Sequence, residues 1–346
     1  GAYLTKAGYD VELVDNYKEH VDALNENGAH IVGFVDEIIP VKAVYDDGLT
    51  GKYDLIISLT KQTTMKEALN KAVPFMHDET LIMTLQNGIP EDIATEIVGI
   101  DRVVGGGMEF SGTFIGPGVS KLASAKETLG ISFGRPTGII DDKALEIQKM
   151  FKNALGHCEL TDNLMGVRYT KLTDNSCFSG LATALGCLVG DILDNRTAME
   201  IIAYTGRECA NIIKAKGIQP VELFGLCPTV ENVSFETKEE LDAVITYWSN
   251  IYNAFRNQKA SMIQDLEKGR KCEIYQINGK FVDEAKKLGI PTTFNDKIVE
   301  LSYRVAETQI TYGDGQKVTI AVIPSDDSDF TYEITGDTGG VFAGVE

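Results

Sequence analysis

The chain has 346 residues, 43% apolar and 24% charged, which is enough for two globular domains with a core in each. Its formal charge of −19 repels phosphate backbones and anionic membrane surfaces, so neither nucleic acid nor membrane is an expected partner. No apolar run reaches the roughly 18 to 20 residues that span a bilayer, and no basic segment leads into an apolar one as in a secretory signal.

In chain order, Val11–Asp15 (VELVD) reads as a short strand after Gly8, and Lys18–Asn27 continues with a helical pattern. Tyr53–Leu59 is an apolar strand, Thr64–Phe75 a helix, Thr80–Leu85 a strand and Glu91–Val98 a short helix. Strand and helix in alternation predict a parallel sheet with helices on its faces, and runs this continuously apolar fit strands covered on both sides. Arg102–Glu109, Gly118–Ala123 and Thr128–Phe133 read as later strands separated by glycine-rich turns. From Ala144 onwards the period becomes helical. Lys171–Leu193, Thr197–Ala215, Lys238–Gln258, Glu273–Leu288 and Asn295–Glu307 are the expected helices, with Gly217 and Gly289 as stops. Lys317–Ile323 and Phe330–Ile334 alternate like strands. The expected fold class is α/β: a Rossmann-like parallel sheet over 1–165, an all-α domain carrying the substrate site over 166–310, and an acidic extension over 311–346.

The opening GAYLTKAGYDVELVD has the form of the segment just past the first phosphate loop of a dinucleotide-binding domain: a helix, a glycine turn, and a second strand ending in an acid. No first strand and no G-x-G-x-x-G loop precede Gly1, so the sheet is expected to have a gap at its centre with two unpaired edges. The Lys317–Ile323 segment could fill that gap only by a long return path, so residues upstream of Gly1 are the simpler source.

Six cysteines form no C-x-x-C pair and the four histidines are scattered, which predicts free thiols in a reducing cytoplasm and no metal site. Asp15 closes the second strand, where a carboxylate can accept hydrogen bonds from both adenosine ribose hydroxyls and favour NAD over NADP; the plainer alternative is a turn residue. Lys61 and Asn87-Gly88 each lie just past a buried strand, on the side where open parallel sheets bind ligands. A solvated helix start and a simple turn are their ordinary alternatives.

Four segments occur in order: DLIISLTK, LQNGIP, RYTKLTDNSCFSGLATALG and SMIQDLEKGRKCEIYQING. Together they resemble the ketopantoate reductase family, from Gly1 to about Tyr303. The resemblance implies a Rossmann domain, a helical domain, a cleft between them, NAD or NADP as cofactor, a small-molecule 2-oxoacid as substrate, and a homodimer through the helical domain. It implies Lys171 as the catalytic lysine, Asn175 as an active-site asparagine, Ser261 as a substrate-binding serine and Glu273 as the acid near the reaction centre. It implies Asn87 beside the nicotinamide, Lys61 in the cofactor pocket and a structural acid at Asp265. The chemistry agrees: reducing a ketone leaves oxyanion charge that an ammonium can stabilise and then protonate. Lys171 and Asn175 are four apart and share a helix face. Glu273 as a surface acid after Lys271, and Ser261 as the cap of the helix carrying Asp265, are the ordinary alternatives.

Two departures stand out. Ser179 replaces a second asparagine that the family often places two turns past the lysine, which alters a substrate-binding position. Asp15-Asn16 stands where NADPH-preferring members carry a basic residue. Both are similar to the branch of NAD-dependent D-mandelate dehydrogenases, which reduce branched or aromatic 2-oxoacids. The tail after about Thr311 matches nothing in the family. The expectations are therefore reduction of 2-dehydropantoate to pantoate, a D-2-hydroxyacid dehydrogenase of the same fold, or a non-catalytic homologue without the cofactor loop.

Overall fold

Buried apolar runs alternating with amphipathic helices build the first half, and helices packed around one central helix build the second. The structure, a computed structural model, describes residues 1–307 apart from Glu109, Ser111 and Ser124, with side chains as far as Ser302 except that of Thr128. Beyond 307 it describes only the backbone of Ile310–Thr311, Lys317–Val318, Val322–Pro324 and Phe330–Tyr332. The chain divides into two units, Gly1–Arg168 and Tyr169–Glu346.

The first unit runs α1 (Ala2–Lys6), β1 (Glu12–Asp15), α2 (Lys18–Asn27), β2 (Ala29–Gly33), β3 (Glu37–Ile39), β4 (Lys42–Tyr45), β5 (Tyr53–Ser58), α3 (Gln62–Ala72), β6 (Met76–Thr84), α4 (Glu91–Val98), β7 (Val103–Met108), β8 (Gly112–Gly116), β9 (Val119–Leu122), β10 (Ile131–Gly134), α5 (Asp142–Leu155) and β11 (Glu159–Thr161). It is a Rossmann-like α/β domain. Strands β5, β6 and β7 pair in parallel, β10 joins antiparallel to β7, and β11 closes that edge. Strands β1 and β4 form a separate parallel pair, so the parallel strands stand in two pieces. A third sheet, ordered β3-β2-β9-β8, takes up the glycine-rich segments.

Strand β6 shows why its sequence is uniformly apolar. Ile82 packs with Met65, Leu69, Ala94 and Val103 on the face of α3 and α4, whereas Leu81 and Met83 pack with Phe133, Ile147 and Phe151 on the face of α5. A strand covered on both faces has no side on which to place polar residues.

The second unit is all-α over its described side chains. Helix α6 (Leu164–Asp174) leads into it, one turn of π-helix (Asn175–Ser179) comes next, and then α7 (Gly180–Leu185), α8 (Val189–Leu193), α9 (Arg196–Ala215), α10 (Val230–Val233), α11 (Lys238–Tyr252), α12 (Ser261–Glu267), α13 (Asn278–Leu288) and α14 (Thr293–Glu307). Helix α9 is central and packs against α8, α10, α11, α13 and α14. Helix α11 opens on a capping box: Thr237 Oγ1 accepts from the Glu240 amide, and the Glu240 carboxylate accepts from the Thr237 amide at 3.1 Å.

Three expectations change here. The helix expected over Lys171–Leu193 begins at Leu164 and stops after Leu185, because Gly186 turns left-handed (φ 67°, ψ 30°). The helix expected from Glu273 begins at Asn278, since Glu273–Ile277 folds as tight turns in which the Glu273 carbonyl accepts from the Gln276 and Ile277 amides. In the tail, Lys317–Val318 pairs with Ile310–Thr311, and Val322–Pro324 with Phe330–Tyr332, so neither joins the parallel strands; Thr319–Ala321 lie outside the described residues. The six cysteines are all free. No helix among the described residues is long and apolar enough to cross a membrane.

Candidate active site

In the second unit, Lys171, Asp174, Asn175, Phe178 and Ser179 recur at the spacing of one helix face. They line one side of a pocket with about 330 Å³ of empty space, part of it open to solvent. Val189, Tyr252, Gln258 and Ala260 line the rest, and the Val189 amide donates to the Gln258 carbonyl at 3.3 Å to hold those walls together.

The π-helical turn carries Asn175 and Ser179. Such a turn widens the helix and disturbs its regular hydrogen bonding, so it needs support from outside. Asn278 supplies it: its Nδ2 donates to the Ser176 carbonyl at 2.9 Å and to Asn295 Oδ1 at 3.0 Å. Asn295 Nδ2 in turn donates to Glu208 Oε2 at 2.9 Å, and Glu208 accepts the Phe294 and Asn295 amides at the start of α14. Burial raises the Glu208 carboxyl above its ordinary value. Gly180 is required beneath this network, because a Cβ there would lie 2.3 Å from Asn278 Oδ1.

Lys171 Nζ donates to Asp174 Oδ2 at 2.7 Å. The Tyr252 hydroxyl donates to the other oxygen, Asp174 Oδ1. Tyr252 is buried and stacks on Phe178 with ring centroids 3.7 Å apart. Burial, reinforced by the Asp174 carboxylate, pushes the Tyr252 phenol well above its ordinary value, which keeps it the donor. Asn175 Nδ2 is buried and has no hydrogen-bond partner. A buried amide left without a partner marks a place where a polar ligand atom fits.

Above the lysine lies a tight hairpin. Leu223 and Leu226 exchange both main-chain hydrogen bonds at 2.9 Å around Phe224-Gly225, whose φ angles are 54° and 86°. This is type I′ geometry, which glycine, asparagine and aspartate favour. A bulky residue there costs on the order of 1–2 kcal/mol. The Lys171 ammonium sits 5.5 Å from the centroid of the Phe224 ring. Thr170 Oγ1 pins the hairpin by donating to the Val221 carbonyl at 2.9 Å, and Tyr247 grips it through the Gly225 carbonyl and the Cys227 amide.

The other expected residues of this unit are not among those that line the pocket. Ser261 is exposed at the first position of α12, next to Ala260; Ala260, not Ser261, is the N-cap, so the alternative capping role does not hold. Glu273 is 4% exposed and therefore not a surface acid, and Asp265 is buried as well.

The first unit holds the remaining candidates. Asp15 is exposed at the end of β1, where its Oδ1 accepts from the Tyr17 amide at 2.8 Å, the geometry of the turn alternative. Lys61 is the exposed N-cap of α3, three residues past β5. Asn87 is exposed past β6 and precedes Gly88, which has a φ of 81°. The backbone between these last two is fixed. Gln62 donates through its side-chain amide to the Asn87 carbonyl, and Gln86 Nε2 donates to Ser58 Oγ at 2.7 Å. Beneath them Arg168 forms a buried pair with Glu91, donating also to the Gln86 carbonyl at 2.8 Å and the Thr84 carbonyl at 3.0 Å. Gly105 leaves room for that pair, since a Cβ there would lie 2.1 Å from Glu91 Oε1. Asp15, Lys61 and Asn87 are thus each exposed at or just past the carboxyl end of a parallel strand, the side on which open parallel sheets bind ligands.

Sequence reasoning missed Asp174, Tyr252, Phe224 and the Arg168–Glu91 pair. Asp174 was visible in principle, one turn from Lys171. The Phe224-Gly225 dipeptide gave no hint of the lysine it covers.

Comparison with known proteins identifies the family. Residues 1–134 match the model described as ketopantoate reductase PanE/ApbA, and residues 163–305 match ketopantoate reductase PanE/ApbA C terminal. A 2-dehydropantoate 2-reductase of Pyrococcus horikoshii is 30% identical over 301 residues, covering 85% of this chain and 89% of the relative. One of Streptococcus pyogenes is 23% identical over 87% of this chain and 92% of its own length. Among solved structures, a D-mandelate dehydrogenase with NADH and anilino(oxo)acetate superimposes with a TM-score of 0.74 at 23% identity, covering 89% of this chain and 94% of that one. A PanE/ApbA family ketopantoate reductase from Ralstonia eutropha gives 0.75 at 21% identity, over 89% and 94%. Two family models that together span both units, and a relative of this identity and coverage, place the protein: it belongs to the ketopantoate reductase family and is an oxidoreductase of that family.

Proposed function

We propose that the protein reduces the keto group of a 2-oxoacid with NADH or NADPH, and that the substrate is 2-dehydropantoate, which becomes pantoate. The observation that carries this reading is the Lys171 ammonium, held by Asp174 in a pocket beside the unpartnered Asn175 amide. The cofactor falls to Asp15, Lys61 and Asn87 of the first unit and the oxoacid to the second. The bound nicotinamide supplies the hydride. Lys171 Nζ donates a hydrogen bond to the keto oxygen, stabilises the negative charge that develops there and gives it a proton. Asp174 holds the ammonium in place, and Asn175 Nδ2 orients the substrate. Ser261, which adjoins the lining residue Ala260, and Glu273 are assigned its carboxylate and hydroxyl ends on the family resemblance alone, since neither lines the pocket. Asp15 favours NAD by repelling a 2′-phosphate.

A second reading, a D-2-hydroxyacid dehydrogenase, is favoured by Ser179 in place of an asparagine and by the apolar groups of Phe178, Val189 and Ala260 in the pocket. Steady-state assays with NADH and NADPH against ketopantoate, 2-oxoisovalerate and phenylglyoxylate separate the two by kcat/KM. Lys171→Ala is expected to lower kcat by at least about 100-fold, the usual weight of a positioned proton donor, with an unchanged melting temperature. Near-normal turnover by that variant removes Lys171 from the reaction, and silence of the native chain on all three acids leaves the non-catalytic homologue.

A further inference from the structure

Phe224 is hard to explain as part of the fold. It is 65% exposed, so burial does not select it, and it is the only non-glycine residue with positive φ among the described residues. The turn would form more readily with glycine or asparagine at that position. Yet the hairpin is pinned by Thr170, the immediate neighbour of Lys171, and by Tyr247, so the ring is held over the ammonium. Strain at an exposed aromatic residue, maintained beside the working group of a pocket, is the pattern of a functional constraint.

We infer that Phe224 determines substrate specificity: its ring packs against the apolar side chain of an aromatic or branched 2-oxoacid whose keto oxygen meets Lys171. An acid bound this way presents polar atoms to Lys171 and Asn175 and places its side chain under the aromatic ring, where removal of apolar surface from water favours binding. The ring also covers one side of the ammonium, which directs the keto oxygen to the other. This inference rests on the reading of Lys171 as the proton donor of a 2-oxoacid reductase.

The test compares the native chain with Phe224→Gly and Phe224→Leu on phenylglyoxylate and on pyruvate, which carries only a methyl group. Phe224→Gly should melt higher, because glycine accepts the turn without strain. It should nonetheless lower kcat/KM for phenylglyoxylate at least tenfold more than for pyruvate, through KM, and weaken phenylglyoxylate binding by a similar factor in calorimetric titration. Phe224→Leu, which keeps an apolar side chain, should fall between. Native turnover with an unchanged phenylglyoxylate-to-pyruvate ratio in Phe224→Gly overturns the role of Phe224 alone. No turnover of any 2-oxoacid by the folded native chain overturns the reductase reading and this inference with it.

Discussion

Asp174 divides its two oxygens between Lys171 and Tyr252, so the position of the ammonium depends on a hydroxyl 78 residues along the chain. The two halves of this contact differ in weight. The Lys171 side chain is 41% exposed, and an ion pair that open to solvent contributes only about 0.2–1 kcal/mol. The Tyr252 hydroxyl is buried, and leaving it without an acceptor costs about 1–3 kcal/mol. Asp174→Ala is therefore expected to lower stability by about 1–3 kcal/mol in denaturant melts, while Asp174→Asn, which keeps an acceptor, stays near the native midpoint. Both should lower kcat, since neither offers the ammonium a carboxylate; a native kcat in Asp174→Asn would show that the charge does not matter. Some of this was legible beforehand. The spacing of Lys171 and Asn175 places them on one face without any structure. Tyr252 was not legible, because nothing local in sequence marks a partner that arrives through tertiary packing. The burial of Glu273 was equally hidden, since the charged residues before it suggest a surface.

At the scale of elements, the π-helical turn is the least regular piece and carries two of the pocket's polar groups. Its support is a stack of buried amides and one carboxyl, Asn278, Asn295 and Glu208, over a glycine. Gly180→Ala drives a methyl group into Asn278 and is expected to cost about 1–3 kcal/mol, the usual range for overpacking. It should also reduce activity, because Asn175 and Ser179 move with the turn; calorimetric melting and kcat/KM measured on the same preparation check both. Regular elements were easy to read where they were long and amphipathic: α2 over Lys18–Asn27 and α4 over Glu91–Val98 have the expected bounds. Strands β2, β3, β4, β8 and β11, of three to five residues, were missed because so few positions show no clear period. The helix expected over Lys171–Leu193 was read too long because its small apolar residues continue past Gly186, where only the left-handed backbone stops it.

For the molecule as a whole, the chain's acidity makes its response to low pH informative. Glu284 is the clearest contributor. Burial would raise its carboxyl, but hydrogen bonds and charge from Lys216 and Lys280 outweigh burial and hold it at about 2, below the ordinary 4.5. A group lowered on folding contributes fully above its unfolded value and loses that contribution as pH falls toward the folded one. The stabilisation, up to about 3 kcal/mol, is thus complete above pH 4.5 and fades between there and pH 2. Glu284→Gln should be less stable than the native chain at pH 7 in urea melts, and the two should converge near pH 2; parallel curves across that range would show that the lysines do not stabilise the carboxylate. The sulfur atoms of the second unit respond to a different reagent. Burial raises Cys177, Cys227 and Cys272, and pushes Cys187 up to about 11, so near neutrality each remains a thiol while electrophiles attack thiolates. Alkylation by iodoacetamide at the buried Cys177 and Cys272 then counts how often the helices around them breathe, and the protein carries its own clock for local opening.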